Sequence, residues 1–281
     1  MFVPLMLLQK TELHENNGYL SELKLDGMRI ILSTYNDETK IYSRHQIDCT
    51  NRFPELVANS LPPNSIFDGE LVVTDSKGKP DFESLMKRFS TTSKGTKKLL
   101  LSNLPVQFVI FDVIHLRGNN FTNLALLKRK EILEKVIEET ETISKVRFIE
   151  GRSEDLFSLV CQQDLEGIVL KQKDSKYEIG KRSWSWQKVI NYHYDDVVIT
   201  GIGKGEPGVF LSFLDGKPAG IIEFPFPPEE RKALWSVVDQ LKIEENKDKI
   251  QLDPQIKIEV KSRGRTKNGY IRIPVFQRYL L

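Results

Sequence analysis

The strongest constraint on the chain is a predicted hairpin near its start, centred on the turn Asp26-Gly27. Residues 19–25 alternate apolar with polar side chains, which is typical of a strand, and residues 30–35 predict the return strand. The period of two in a strand puts Glu22 and Lys24 on the same face. The sequence therefore predicts a lysine held on a strand beside a tight turn.

The lysine beside this turn has two interpretations. Arg29 begins the predicted return strand, so it is expected to lie across the hairpin from Lys24. An amine is a nucleophile only when it is neutral, and a nearby cation favours that form while it binds phosphate oxygens. The alternative is a solvated surface lysine, which is the more frequent case for an isolated Lys-Asp-Gly motif. The rest of the chain decides between the two.

Composition places the chain among globular proteins with room for two domains, since 40% of its 281 residues are hydrophobic and 28% are charged. Its apolar runs are too short to span a bilayer, so no membrane partner is expected. Residues 1–8 lack the basic start and cleavage site of a signal peptide and predict a buried strand or cover. Cys49 and Cys161 have no metal-ligand spacing, which favours the cytoplasm. The net charge of +2 means that any nucleic-acid site must be local.

Acidic side chains interrupt a strongly apolar strand predicted over residues 66–73. Alternation places Asp68 and Glu70 on one face of this strand, which is expected to be central. Buried acids usually need a metal or a ribose hydroxyl to satisfy them, so we interpret Glu70 as functional. Residues 106–113 predict another buried strand, in which Phe111 is either a core residue, the more usual case, or a stacking surface.

Between these strands and the middle of the chain, the pattern predicts scaffold. Residues 80–89 predict a short helix capped by Asp81, and residues 90–98 predict a polar, basic loop. Residues 126–142 carry apolar side chains at helical spacing and predict an amphipathic helix.

Several predicted strands end in basic residues, which indicates an anion site more than a solvated surface. Arg44 ends a strand over residues 40–44, and Lys171 ends a strand over residues 166–171 that begins at Glu166. Lys188 shares a strand face with Trp186. Each of these signals is weak alone.

The pattern of predicted elements changes near Tyr192. Beyond it, predicted strands are joined by turns containing glycine, aspartate and proline, and a single helix is predicted over residues 227–241. The predicted strands cover residues 196–203, 209–214, 220–224, 256–260 and 271–275. About 90 residues of this kind suit a five-stranded oligonucleotide-binding (OB) barrel. We therefore predict an α+β protein with domains at 1–191 and 192–281.

Taken in order, these segments resemble the motifs of the covalent nucleotidyltransferases and, within them, of the ATP-dependent DNA ligases. The six motifs of the first domain are Lys24-Leu25-Asp26-Gly27-Met28-Arg29, Tyr42-Ser43-Arg44, Phe67-Asp68-Gly69-Glu70, Phe111-Asp112, Glu166-Gly167-Ile168-Val169-Leu170-Lys171 and Trp186-Gln187-Lys188. In the second domain, Arg272-Ile273-Pro274-Val275-Phe276 resembles the Arg-x-Pro-x-Phe element of bacterial ligases. Six motifs in the right order are far more specific than any one of them.

The resemblance implies a fold and a reaction. The fold is an adenylyltransferase domain, ATP-grasp-like and mixed α/β with antiparallel sheets, followed by an all-β OB-fold domain. In the implied reaction, Lys24 attacks the α-phosphorus of ATP, expels pyrophosphate and carries AMP as a phosphoramidate. AMP then passes to a 5′-phosphate at a nick or end in duplex DNA, and the adjacent 3′-hydroxyl displaces it.

The resemblance also implies roles for other side chains. The ATP site comprises Glu22 and Phe111 on the adenine, Arg29 and Glu70 on ribose or phosphate, Lys171 and Lys188 on the α-phosphate, Arg272 on the pyrophosphate, and Arg44. A divalent metal, Mg²⁺ or Mn²⁺, would bind Glu166 and Glu70. These placements fit the need to neutralise charge that develops on phosphate.

A basic cluster lies near the C-terminus, where residues 257–272 carry six basic side chains against the single acid Glu259. Four of the six belong to a predicted loop over residues 261–268 and are candidate contacts for DNA phosphates: Lys261, Arg263, Arg265 and Lys267. A solvated hairpin explains the charge equally well. Arg272 is expected inside the strand that follows.

The chain departs from the family pattern at Ile190, where many members carry a second lysine after Lys188. A helical N-terminal DNA-binding domain, a polymerase module and zinc-finger cysteines are not expected either. The pattern is similar to a compact bacterial or phage-encoded ligase and to the ligase module of bacterial end-joining proteins, acting as a monomer. A Ku-like end-binding protein is a candidate partner.

Three alternatives remain open. An RNA ligase and a capping-type guanylyltransferase share the lysine chemistry, but Glu22 and the Arg-x-Pro-x-Phe element favour a DNA ligase. An inert nucleic-acid-binding protein of the same fold is the third, because a shared fold does not guarantee a shared function.

Overall fold

The chain forms two compact units, Met1–Ile190 and Asn191–Leu281. The division falls one residue before the predicted boundary. The computed structural model describes residues 1–36, 38–58, 61–205, 208–223 and 226–280. None of the helices in these ranges is long and apolar enough to cross a membrane.

The first unit combines eleven described strands with five described helices. The strands are β1 (Leu7–Lys10), β2 (Tyr19–Leu23), β3 (Met28–Tyr35), β4 (Glu38–Ser43), β5 (Ser65–Val72), β6 (Gln107–Leu116), β7 (Asn119–Asn120), β8 (Ile143–Lys145), β9 (Phe148–Glu150), β10 (Gly167–Gln172) and β11 (Arg182–Ile190). The helices are α1 (Pro54–Val57), α2 (Phe82–Ser90), α3 (Lys94–Asn103), α4 (Leu126–Val136) and α5 (Ser153–Gln162), with a 3₁₀ turn at Thr50–Arg52.

Two sheets organise this unit. The first sheet has the order β1-β11-β10-β2-β9, with β1 parallel to β11 and the other neighbours antiparallel. The second has the order β4-β3-β5-β6-β7, and β8 runs parallel to β6. One hydrophobic cluster contains Leu20 of the first sheet together with Ile31 and Ile66 of the second. The expected mixed α/β architecture with antiparallel sheets is confirmed.

The predicted hairpin around Asp26-Gly27 is wrong. β2 lies in the first sheet between β10 and β9, whereas β3 lies in the second sheet between β4 and β5. The turn therefore carries the chain from one sheet to the other. A Cβ added at Gly27 would lie 2.3 Å from the carbonyl oxygen of Leu71, so a residue with a side chain cannot pass here without displacing β5.

The scaffold predictions are partly confirmed. Helix α2 begins after Asp81, whose side chain accepts a hydrogen bond from the Ser84 amide at 3.1 Å, as predicted. The predicted loop over residues 90–98 is wrong from Lys94 onward, because α3 begins there and buries Leu100. Helix α4 ends at Val136 rather than at residue 142, since beyond the buried Ile137 the polar run 138–142 offers no apolar side chain to bury.

At the N-terminus, the cover and the strand that were predicted as alternatives are both present. Val3, Leu5 and Met6 are buried without forming a strand, and β1 begins at Leu7.

The second unit is built on one long strand. Its described elements are β12 (His193–Gly203), β13 (Val209–Phe213), β14 (Pro218–Ile222), α6 (Pro228–Leu241), β15 (Lys242–Glu245), β16 (Lys249–Leu252), β17 (Lys257–Ser262) and β18 (Val275–Tyr279). β12 pairs with β13, with β16 near its end and with β17 near its start. The described sheet has seven strands rather than five, because the short, charged β15 and β16 carry little strand signal.

The predicted strand over residues 271–275 is also wrong. Ile271 forms an isolated bridge with Arg265, and Ile273 has a positive φ of 53°, which breaks the extended backbone. Arg272 therefore lies in an irregular segment before β18. The predicted end of the strand at residues 220–224 lies partly outside the described residues, since residue 224 is not among them.

Candidate active site

Lys24 lies just beyond the end of β2, beside the start of β10. Its backbone N–H donates to the carbonyl oxygen of Gly167 at 2.9 Å, which brings the adjacent Glu166 close. The Lys24 Nζ donates to Glu166 Oε2 at 2.8 Å, and both side chains are largely buried. The contact partner of the candidate nucleophile is thus a carboxylate rather than the cation that the sequence led us to expect. The difference arises because β2 pairs with β10, a contact between distant parts of the chain.

A cavity of about 50 Å³ adjoins Lys24 and collects most of the predicted site. Six of the predicted residues line it: Glu22, Lys24, Arg29, Glu70, Phe111 and Lys171. The remaining lining is Leu8, Leu23, Leu25, Val146, Val169 and Trp186. The structure therefore assembles, from five separate strands and the β2–β3 crossing, residues that the sequence connected only through a resemblance.

Arg29 is fixed by a buried carboxylate. Its Nε and Nη2 donate to the two oxygens of Asp68 at 3.0 and 2.6 Å, and the Tyr177 hydroxyl donates to Asp68 Oδ2 at 2.7 Å. Burial opposes the charge, but the neighbouring Asp68 raises the pKa of Arg29 overall. Asp68 is thus satisfied by an arginine and a tyrosine instead of the metal or ribose expected for a buried acid.

The Lys171 ammonium lies over two aromatic rings that contact each other edge to face. Its Nζ lies 4.1 Å from the Phe111 ring centroid and 4.2 Å from that of Trp186, which is cation–π geometry. Burial lowers the pKa of Lys171 to about 8, against the opposing charge of Glu22. Phe111 lines the cavity while its ring also packs against the core, so the core interpretation holds and stacking on a base stays a prediction.

Glu22 contacts two lysines. The Glu22 Oε2 lies 2.7 Å from Lys171 Nζ, and Oε1 lies 2.5 Å from Lys130 Nζ. Lys130, on α4, was not among the candidates drawn from the sequence. The available signal was a cation on a helix that the sequence assigned to scaffold. Only its contact with Glu22 on β2 indicates a function for that cation.

Glu70 is the acid of the cavity with the most perturbed ionisation. Burial raises its pKa to about 8, Lys24 and Arg29 oppose this shift, and Glu166 reinforces it. Among the described residues, no group of three or more His, Cys, Asp and Glu side chains is arranged to hold a metal. Glu70 and Glu166 are hard oxygen donors that suit Mg²⁺ or Mn²⁺ if phosphate oxygens complete the coordination.

We expect Glu70→Gln to stabilise the protein at alkaline pH. Folded Glu70 keeps its proton up to about pH 8, whereas the unfolded side chain ionises near 4.5, so the wild-type stability falls as the pH rises between these values. Urea unfolding without added metal should show almost no effect near pH 4.5 and a gain of about 2 kcal/mol by pH 8 for this half-buried group. Glu141→Gln, at an exposed position, is the control. A gain that does not vary with pH would show that the Glu70 carboxyl has an ordinary pKa.

A family sequence model, ATP dependent DNA ligase domain, matches residues 6–189. The chain belongs to the ATP-dependent DNA ligases. The SPbeta prophage-derived DNA ligase-like protein LigB of Bacillus subtilis (strain 168) is 37% identical over 280 residues, which cover 99% of each chain.

Two solved ligase structures share the fold. Mycobacterial DNA ligase D, complexed with ATP and MES, superposes with a TM-score of 0.61 at 22% identity, over 99% of this chain and 95% of that one. A Lig E DNA ligase, described as binding DNA with a minimal scaffold, gives a TM-score of 0.70 at 19% identity over the whole of both chains. At these identities the superpositions show the fold alone, a ligase nucleotidyltransferase unit followed by an OB-fold unit.

Two further predicted ATP-site residues of this ligase lie outside the cavity lining. Arg44 follows β4 and is exposed, and Lys188 lies on β11, two residues after Trp186. Lys10 on β1 pairs in register with Lys188, so the two side chains emerge on the same face. Ile190 is buried at 6% exposure. Lys10 was not predicted, and the register of β1 against β11 places it beside Lys188.

The basic cluster of the second unit is partly occupied by internal contacts. Lys261 Nζ lies 4.3 Å from the Tyr192 ring centroid, and Arg265 donates to Asp195 at 2.5 Å. The backbones of Arg263 and Arg272 are joined by a hydrogen bond of 3.0 Å. The predicted loop is thus held by a short ladder of backbone hydrogen bonds, and this ladder also positions Arg272.

A groove of about 830 Å³ in the second unit adjoins this ladder. Arg272 and Lys249 are its basic lining residues, and Tyr270 and Ile273 are exposed beside them.

Proposed function

We propose that the protein seals nicks or ends in duplex DNA with ATP, through a lysyl-AMP on Lys24 and an adenylylated 5′-phosphate. One observation supports this most directly: the Nζ of Lys24 lies 2.8 Å from Glu166 Oε2 at a cavity that also presents Arg29, Glu70 and Lys171. These are a nucleophile, cations for phosphate oxygens and carboxylates for a metal, in one place.

The residues of the cavity account for the first step. Lys24 must lose a proton before it can attack, and Glu166 Oε2 is within hydrogen-bond reach of that proton. The Lys24 nitrogen then bonds to the α-phosphorus as the bond to pyrophosphate breaks. Arg29, oriented by Asp68, and Lys171, once it has moved to the α-phosphate, would neutralise the charge that develops. A divalent cation held by Glu70, Glu166 and phosphate oxygens would add positive charge against the leaving group.

The cavity must enlarge for ATP to enter. Small-molecule sites usually measure roughly 300–1,000 Å³, whereas this one measures about 50 Å³, with the Lys171 ammonium over both the Phe111 and the Trp186 ring. Adenine can stack on Phe111 only if Lys171 leaves its ring. The position proposed for Lys171 at the α-phosphate is where this side chain would move. One movement of Lys171 would therefore both free the ring for base stacking and make the phosphate contact.

The nucleotide preference follows from Glu22. A buried carboxylate accepts a hydrogen bond from the 6-amino group of adenine but repels the 6-oxo group of guanine. This favours a ligase over a guanylyltransferase. A divalent metal, a role for Arg44, Lys188 and Arg272 at ATP, a Ku-like partner, a monomeric state and a cytoplasmic location remain predictions.

Nucleotide labelling tests the proposal. The protein is incubated with magnesium and α-labelled ATP, GTP or adenylate-labelled NAD, denatured, and then examined for covalent label. We expect label from ATP alone. Label from GTP would favour a capping-type enzyme, label from NAD would exclude ATP dependence, and no label from any of them would favour an inert binding protein.

We expect the basic cluster to bind DNA without serving the first step. Neutralising Lys261, Arg263, Arg265 and Lys267 to Gln should weaken binding to nicked DNA and reduce its log-log salt slope by roughly three. The reduction is below four because Arg265 is already paired with Asp195. Self-adenylylation should be unchanged. Filter binding from 50 to 300 mM salt measures the slope.

The charge-matched control neutralises basic residues elsewhere in the second unit, namely Lys204, Lys217, Lys232 and Lys242. It should lose far less of the slope. Arg272→Ala should do the reverse of the cluster variant by slowing self-adenylylation while still sealing pre-adenylylated nicks. If the cluster and control variants lose slope equally, the cluster is a solvated surface.

A further inference from the structure

The Glu22 carboxylate lies between two buried lysines, Lys130 and Lys171, whose surroundings differ. The exposed fractions of the Glu22, Lys130 and Lys171 side chains are 3%, 4% and 3%. Such a group carries one net positive charge inside the protein, which is costly unless a ligand or a hydrogen-bond network compensates it. The arrangement therefore needs a functional explanation.

The two lysines differ in their relation to the cavity. Lys171 lines it, whereas Lys130 is not part of the lining and approaches Glu22 from α4. The Lys130 Nζ also lies 5.5 Å from the ring centroid of Phe148, which pairs with Glu22 across β2 and β9. Lys130 is thus enclosed on the scaffold side of Glu22, while Lys171 stands on the side that ATP would enter.

The ion pairs around Glu22 leave several buried polar atoms without a well-aligned hydrogen bond. The Nζ atoms of Lys130 and Lys171 and the Oε1 of Glu22 are buried without a hydrogen bond of good geometry. Buried polar atoms in this state are rare in native proteins, so each of them needs a structural or functional explanation.

Helix α4 is itself anchored beside the adenine surface. Arg129, which precedes Lys130, is fully buried and donates to both carboxylate oxygens of Asp112 at 2.7 and 2.8 Å. Asp112 follows Phe111, so one ion pair ties the helix to the strand that carries the stacking ring. Lys130 therefore projects towards Glu22 from a rigid support.

We propose that Lys130 is a positioning residue that holds Glu22 for the 6-amino group of the incoming nucleotide. When Lys171 leaves for the α-phosphate, Glu22 Oε2 becomes available to accept from adenine, and Lys130 keeps the carboxylate oriented through Oε1. The inference rests on the proposed function and adds the origin of its base specificity.

The test compares ATP with inosine triphosphate, whose 6-oxo group cannot donate to Glu22. Self-adenylylation by Lys130→Met should show a KM for ATP raised about tenfold, the usual effect of losing one charged hydrogen bond. The KM for inosine triphosphate should change less than about twofold, and kcat should change little for either. The preference for ATP should therefore fall about tenfold. Lys130→Arg should restore most of it.

Two further variants make the result specific. Lys128→Met lies on the same helix at an exposed position, 64% accessible, and should leave the preference unchanged. Glu22→Gln should lose the preference by itself, and adding Lys130→Met to it should cost little more. If Lys130→Met fails to fold by circular dichroism, the same ratio is measured for Lys130→Gln against Lys130→Arg.

The outcomes distinguish a failure of the role proposed for Lys130 from a failure of the proposed function. Equal losses for the two nucleotides, or an unchanged preference in folded Lys130 variants, would show that Lys130 is only structural. If the wild-type protein takes label from neither nucleotide, the proposed function itself fails.

Discussion

Lys24→Ala takes up no label from α-labelled ATP with magnesium or manganese, because the variant lacks the nitrogen that forms the phosphoramidate. The wild-type protein labels under the same conditions. Removing Lys24 also leaves Glu166 without its ion-pair partner, so circular dichroism and urea unfolding must show that the variant is folded. Lys173→Ala is the control, since Lys173 pairs with Glu150 outside the cavity and should label normally. Label that persists in folded Lys24→Ala would place the nucleophile elsewhere.

Lys171→Met should slow self-adenylylation by at least about a hundredfold, the typical effect of removing a group that stabilises charge in the transition state. The same substitution should change the free energy of unfolding by less than about 1 kcal/mol at pH 7, because replacing a desolvated cation with an apolar side chain offsets the lost contact to Glu22.

The shifted pKa of Lys171 makes the expected change in the free energy of unfolding depend on pH. The folded Lys171 has a pKa near 8 and the unfolded one 10.5, so its contribution to stability is present above pH 10.5 and lost as the pH falls through 8. The substitution therefore becomes more favourable towards neutral pH. Single-turnover labelling and urea unfolding measure the two effects on one sample. Near-normal labelling would return Lys171 to the scaffold, and a large loss of stability would make its activity uninterpretable.

Local patterns were predictable where the chain's own neighbours decide the structure. The alternation over residues 66–73 correctly indicated the central strand β5, and Asp81 correctly marked the start of α2. Of the three basic residues predicted at strand ends, Lys171 lines the cavity, whereas Arg44 and Lys188 lie outside its lining.

Non-local pairing set the limit. The turn at Gly27 has the local signature of a hairpin, yet β2 pairs with β10, more than a hundred residues away, and β3 joins a different sheet. The contact between Lys130 and Glu22 depends on the same kind of long-range packing, and helical spacing alone assigned the helix that carries Lys130 to scaffold. No periodicity encodes which sheet a strand will join.

Charge within an element also misled the sequence analysis. The polar start of α3 was predicted as loop, although Leu100 anchors its last turns, and the Arg272 segment was predicted as strand although Ile273 has a positive φ. In both cases a single residue, the buried Leu100 or the strained Ile273, determines the local backbone. A propensity averaged over the whole segment does not reveal the effect of one residue.

The fate of AMP tests the central claim most directly. Wild-type protein is labelled with α-labelled ATP, freed of nucleotide, and mixed with duplex DNA carrying a single nick with a 5′-phosphate. We predict that the label leaves Lys24, appears on the 5′-phosphate strand and then as free AMP while that strand is joined, whereas a nick with a 5′-hydroxyl leaves the label on the protein. Label that stays on the protein with the 5′-phosphate nick, or that leaves without joining the strand, would contradict the assignment of this chain as a DNA ligase.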